Sequence, residues 1–232
     1  MVSPRRTVVE PKGFVPADDV EQLADLLLRA PDAACLNFVQ RLLDSGLTFE
    51  AVLVHLLAPA TRRVGEAWVD DRVGFLEASI AYGRVQQLLR RLAQEAGPAS
   101  GEAIRVGRVL LSVPEGEQHT LGLFTVAEVL LRDGWEVVVG RPVLEAPPAT
   151  LVHGEWFDAV LFSAAHERHA GGLKREIAQV RRRSRNPELV VVIGGHLAAS
   201  HPDAWRDVGA DAPGCDADVT SVLLQRLLAA AS

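Results

Sequence analysis

Three short stretches of this 232-residue sequence hold residue types that can do chemistry together. The first is Glu117-Gln118-His119-Thr120-Leu121-Gly122. Imidazole is the commonest protein metal ligand, and a nearby carboxylate can accept its second N–H, which sets the tautomer and raises ligand basicity. A loop histidine on its own is ordinarily just solvated, so His119 needs company. Gly122 offers some, because a residue without a side chain lets the helix that follows lie close to a bulky ligand. The second stretch is Ser163-Ala164-Ala165. Its hydroxyl can donate to a ring nitrogen or simply end a strand. The third is Gly194-Gly195, which reads either as a turn or as a place where a ligand lies against bare backbone.

These stretches act together only if the fold brings them to one edge. Apolar runs at Arg105 to Val113, Trp135 to Val139, Ala159 to Ser163 and Leu189 to Ile193 predict four strands, with a weaker fifth near residues 210–213. Helical spacing from His119 to Arg132, Gly172 to Arg185 and Val219 to Ala230 falls between and after them. Strands with few polar interruptions, alternating with helices, predict a parallel sheet covered on both faces. Such sheets bind ligands beyond the C-terminal ends of their strands, which is where all three stretches fall.

The N-terminal part reads differently. Residues 1–17 contain three prolines and little periodicity, and read as an arm. Helical spacing then predicts one helix from Asp18, a second over Asp32 to Asp44, and a third capped by Thr48 that runs to Trp68. Pro59 should kink that third helix. A fourth runs from Phe75 to Ala96, with Ile80, Val85, Leu88, Leu89 and Leu92 inward. Four helices with short connections predict a small bundle. Gly97-Pro98-Ala99-Ser100-Gly101 reads as a linker, so the expected parts are an arm at 1–17, a bundle at 18–97 and an α/β domain at 103–232.

A net charge of -6 argues against a broad basic face that binds nucleic acid unaided. The cations from Arg181 to Arg185 suit the C-terminal end of a helix dipole, with a contact to a partner or DNA as the other reading. Cys35 and Cys215 form no CxxC pair and predict neither a zinc site nor a disulfide framework. No apolar run of ~18 residues predicts a membrane helix, and no signal peptide is legible, so a cytoplasmic location is expected. There is no Gly-x-Ser-x-Gly elbow, P-loop or paired-carboxylate signature, which argues against an independent enzyme. His55 reads as a core histidine, and His166 and His169 as residues near the ligand edge. His153, His196 and His201 read as loop residues without a partner pattern.

Taken together, the three stretches resemble the cobalamin-binding domain shared by methionine synthase, the mutases and the corrinoid carrier proteins. That signature is an acid, any residue, His, two residues and Gly, then about forty residues to Ser-x-Leu and under thirty to Gly-Gly. Here 40 residues separate Gly122 from Ser163, and 28 separate Ala165 from Gly194. Glu117 replaces the commoner Asp, and Ala165 the family Leu. The resemblance implies a Rossmann-like (flavodoxin-like) domain that binds cobalamin base-off and His-on. His119 would be the lower ligand of the cobalt, Gly194 and Gly195 would flank the nucleotide tail, and Ser163 would bond its benzimidazole. The implied contact set is Glu117, Gln118, His119, Thr120, Leu121, Gly122, Ser163, Ala165, Gly194 and Gly195.

The helical half extends the resemblance. In the light-sensing cobalamin repressors a bundle residue Trp is followed ten positions on by Glu-His, with a second His beside the Trp. Trp68 matches that Trp and joins the contact set. Val69 stands where the adjacent His would be, and Ala78-Ser79 where Glu-His would be. The stretch Leu56 to Arg72, with Phe75 and Gly83 to Arg90, resembles instead the antirepressors of photosynthesis genes, the PpaA/AerR group. This likeness covers nearly the whole chain after residue 17. It implies a cobalamin-dependent regulator that responds to light or ligand exchange and acts through a transcriptional repressor. Adenosyl- and hydroxo- or aquo-cobalamin both fit. With only 17 residues ahead of the bundle, no DNA-reading module and no sequence-specific DNA binding are expected. Two other readings stay open: a corrinoid methyl carrier of a methyltransferase system, and a haem sensor with His119 as axial ligand.

Overall fold

The computed structural model describes residues 14–95, 106–214 and 216–231. Most of the predicted arm, the Gly97–Gly101 linker and Cys215 lie outside these residues. The chain divides into two compact units, Met1–Ala96 and Gly97–Ser232.

The first unit is helical: α1 (Ala17–Arg29), α2 (Asp32–Asp44), α3 (Phe49–Ala51), α4 (Ala58–Val69) and α5 (Phe75–Glu95). Asp18 and Asp19 place negative charge at the positive end of α1. The Thr48 hydroxyl accepts the Ala51 N–H at 3.2 Å, as a cap should. Between α3 and α4 the chain makes a π-helical turn, Val52–Leu57, so the predicted single helix is interrupted. The widened turn lies directly before Pro59, whose ring would strike the carbonyl four residues back in a regular helix. It takes the place of the expected kink.

Two inward assignments are corrected. Val52, Leu53, Leu56 and Leu57 fill the buried stripe of the π turn, which leaves His55 exposed rather than in the core. On α5 the buried stripe is Ala78, Ala81, Val85, Leu88, Leu89 and Leu92, which puts Ile80 on the outside. Arg84 ties three helices together. Its guanidinium donates to the Leu27 carbonyl of α1 at 2.7 Å and to Asp32 of α2 at 3.1 Å.

The second unit is a five-stranded sheet: β1 (Arg108–Ser112), β2 (Glu136–Val139), β3 (Ala159–Ser163), β4 (Val190–Gly194) and β5 (Ala212–Pro213). Every pairing is parallel and the order is β2-β1-β3-β4-β5. Helices α6 (Leu121–Arg132) and α11 (Ala217–Ala231) cover one face over Val109, Leu111, Leu161 and Val192. Helices α7 (Pro148–Gly154), α8 (Ala170–Arg183), α9 (His196–Ser200) and α10 (Ala204–Val208) cover the other, over Leu110, Val160, Phe162 and Val191. Neighbouring strand residues alternate between these two cores, which is why the strands read as unbroken apolar runs. The short helices α7, α9 and α10 have no counterpart in the sequence reading, because each spans too few residues to show a 3.6-residue period. Helix α6 begins at Leu121, two residues later than predicted, so His119 sits in the loop.

The strand order reverses between β1 and β3, since β1 leads outward to β2 while β3 leads outward to β4. That is the topological switch point, where the loops leave in opposite directions and open a crevice.

Candidate functional site

The site grows from one buried carboxylate. Glu117, in the loop after β1, has a fully buried side chain. Its Oε1 accepts the backbone N–H of Gln118 at 2.9 Å and of His119 at 3.0 Å, and faces His119 Nδ1 at 2.6 Å. Its Oε2 accepts the Ala165 N–H, just past β3, at 2.8 Å. His169 Nε2 stands 3.6 Å from the same oxygen. Burial alone would raise the pKa of this carboxyl. The His119 and Ala165 N–H groups and the His119 imidazole outweigh burial and hold it at about 2.

The consequence for His119 is definite. Its Nδ1 is directed at a carboxylate, which can only accept, so the ring is held with Nδ1–H inward and Nε2 pointing away from Glu117. The side chain is 60% exposed, so Nε2 is available at the surface of the crevice. His166, carried by the segment that Ala165 anchors, packs edge-on against this ring at 4.9 Å between centroids.

Ser163 ends β3 on the face covered by α6. A Cβ built on Gly122 would lie 3.9 Å from its hydroxyl, so these two residues face each other across the crevice. Ser163 Oγ has no hydrogen-bond partner among the described residues although the residue is nearly buried. Gln118 is exposed; Thr120 and Leu121 at the start of α6, and Ala165, are half-buried.

Gly195 does a structural task, whereas a Cβ on Gly194 would meet only the Phe162 carbonyl oxygen, at 4.0 Å. Gly195 has φ +84°, and a Cβ there would stand 2.5 Å from the Ala164 carbonyl oxygen. Ala164 N–H donates to the Gly194 carbonyl at 3.1 Å, and Leu197 N–H to the Ala164 carbonyl at 3.0 Å. Gly214, which sequence reasoning missed, completes the set: its Cβ would meet Gly194 Cα at 2.8 Å. A lone glycine after a two-residue strand carries no spacing signal, so only the close approach of backbones shows its role.

The structure thus gathers Glu117, His119, Gly122, Ser163 and Ala165 at the switch point, with His166 and His169 beside them. Trp68 belongs to the helical unit. It is 46% exposed and lies edge-on to Phe75 at 6.4 Å between centroids. Val69, Phe75 and Leu76, all at least 70% exposed, extend the apolar patch. His153 and His196 lie on α7 and α9; His201 Nε2 is 3.7 Å from Glu167.

A doubly wound sheet with an oriented imidazole at its switch point defines a ligand-binding α/β domain, here with a separate helical unit. Comparison with known proteins specifies the ligand class. Residues 107–220 match the family described as B12 binding domain, and residues 20–93 match a second family of that description. A Rhodobacter capsulatus protein, described as an uncharacterized 20.5 kDa protein in the bchF-crtJ intergenic region, is 33% identical over 168 residues, covering 70% of this chain and 84% of that protein. The monomethylamine corrinoid protein of Methanosarcina barkeri has a similar fold, with a TM-score of 0.74 at 17% identity over 90% of this chain and 98% of that one. This chain belongs to the B12-binding domain family and is a cobalamin-binding domain protein.

Among the described residues no helix is long and apolar enough to cross a membrane.

Proposed function

We propose that the chain is a cobalamin-dependent regulator that binds the cofactor base-off, with His119 Nε2 on the cobalt, and acts through a transcriptional repressor. The observation that carries the ligand assignment is the Glu117 to His119 contact, which leaves Nε2 as the only ring nitrogen able to coordinate. The donor set suits a metal that arrives in a macrocycle. Among the described residues no group of three or more His, Cys, Asp or Glu side chains could hold a free ion. One imidazole, that of His119, would be enough to hold a cobalt that arrives already bound in its corrin.

The chain's own residues have distinct tasks in this reading. Glu117 holds the His119 tautomer and ties the loop after β1 to the end of β3. Ser163 has an unengaged hydroxyl for the benzimidazole of the tail. Trp68 presents an exposed aromatic ring from the helical unit. Bound cobalamin would supply a cobalt with an exchangeable upper ligand.

The regulatory assignment is supported by the PpaA/AerR-like motif in the helical half and by the relative from the bchF-crtJ region. A corrinoid methyl carrier is the alternative, favoured by the shared fold of the Methanosarcina corrinoid protein. The test is reconstitution followed by absorption spectroscopy in darkness and after illumination. Corrin bands at one cofactor per chain, weakened in His119→Ala, are expected; a haem Soret band would reject the cofactor. Holo-protein should bind a labelled repressor of photosynthesis genes at least ~10-fold more tightly than apo-protein, about 1.4 kcal/mol of coupling. Equal affinities, together with turnover when the reduced holo-protein is supplied with a methyl donor and a thiol acceptor, would establish the carrier instead.

A further inference from the structure

Helix α8 carries a charge pattern that neither the sheet nor the cobalamin site uses. The whole chain is net -6, yet α8 holds Lys174, Arg175, Arg181, Arg182 and Arg183 against one carboxylate, Glu176. Two of these six are engaged structurally. Arg181 donates to the carbonyls of Leu189 at 3.2 Å and Gly209 at 3.0 Å, and pairs with Asp211 at 2.8 Å. Glu176 pairs with Arg141. The other four, Lys174, Arg175, Arg182 and Arg183, are exposed and make no hydrogen bond or ion pair with any described residue.

Their placement follows from the buried stripe. Leu173, Ile177 and Val180 face the sheet. At about 100° per residue, Arg175 and Arg182 lie within about 20° of each other on the opposite side, flanked by Lys174 and Arg183. The two cation pairs are about 12 Å apart along the axis. Between them the outer face holds Ala178 and Gln179, with no carboxylate and no aromatic ring.

The helix dipole accounts for cations in the last turn. It does not account for Lys174 and Arg175, in the first half of α8, where that field gives them nothing. The character of the face separates two kinds of anionic partner. A protein interface needs large apolar or aromatic anchors at its centre. This face has only small and polar residues between its cations. Contacts to a phosphodiester backbone need no such pocket, and guanidinium groups engage phosphate oxygens in pairs.

We propose that the outer face of α8 is a sequence-independent docking surface for the phosphate backbone of duplex DNA, contacted through Lys174, Arg175, Arg182 and Arg183. The acidic remainder of the chain keeps this contact weak, suited to DNA already held by another protein. The proposal does not depend on cobalamin.

Fluorescence anisotropy of a labelled 30-bp duplex, titrated with the full chain in apo and holo forms, tests it. Binding should appear at low salt, be equal in the two forms, and weaken with a log–log salt slope of about -3 to -4 for four phosphates. The paired reversals K174E/R175E and R182E/R183E should each reduce affinity at least 10-fold. R90E/R91E on α5 should not, and circular dichroism will show whether each variant is folded. Absence of low-salt binding, insensitivity to the α8 reversals, or tighter binding to polyglutamate or single-stranded RNA than to the duplex would overturn the assignment.

Discussion

Glu117 and His119 meet at 2.6 Å, carboxylate Oε1 to imidazole Nδ1, while the second oxygen of the same carboxylate holds the Ala165 N–H at 2.8 Å. One buried side chain therefore orients the candidate cobalt ligand and joins the ends of two strands. Glu117→Gln should separate these tasks from simple loss of a contact. An amide has one acceptor oxygen, so either the Ala165 N–H or the His119 side loses its partner. Cobalamin affinity should fall by about 10- to 100-fold, as is usual for groups that orient a metal ligand. Isothermal titration of the apo-variant measures it.

Acid should weaken the fold through the same group. The folded-state pKa of Glu117, about 2, lies below its ordinary value of 4.5. A carboxyl with a depressed folded pKa contributes stability that is fully present above its unfolded pKa and lost as pH falls through the folded one. The urea midpoint of apo-protein should therefore drop between pH 4.5 and 2. In Glu117→Gln that drop should be smaller, starting from a lower midpoint at pH 7.

Two glycines with the same backbone angle should respond differently to alanine. Gly195 has φ +84° and Gly209 φ +83°. Around Gly209 the space is open, so Gly209→Ala should cost only the left-handed strain, about 1 kcal/mol. At Gly195 the new methyl would stand 2.5 Å from the Ala164 carbonyl oxygen. Gly195→Ala should cost more than about 3 kcal/mol, because backbone must move as well. Parallel denaturant unfolding of the two variants gives the comparison.

Trp68 provides a test in the helical unit. Its ring is half exposed and touches Phe75 edge-on. Trp68→Ala should leave the apo-protein folded, at a cost of about 1–3 kcal/mol for the buried half of the side chain. Cobalamin retention should nevertheless fall at least several-fold if this ring contacts the corrin. Retention equal to that of the unaltered protein through gel filtration would remove Trp68 from the cofactor site.

Much of this protein is legible along the chain. The short apolar runs at Val109–Leu111, Ala159–Phe162 and Val190–Ile193, alternating with helical stretches, read as strands buried on both faces, and the two-residue spacing of Glu117 and His119 brings carboxylate to imidazole within one loop. These are local facts, set by side-chain period and by what a short segment can reach. The starts of α6 and α8 lie two residues from their expected positions while the Thr48 cap is where it was expected, and Ile80 and His55 lie outside because neighbouring alanines and leucines fill the inward positions. The clasp from Glu117 to Ala165, His166 against the His119 ring, and Gly214 behind Gly194 were decided only by the tertiary structure. Each joins residues that lie tens of positions apart, and they meet because the strand order β2-β1-β3-β4-β5 sets the ends of β1, β3, β4 and β5 side by side.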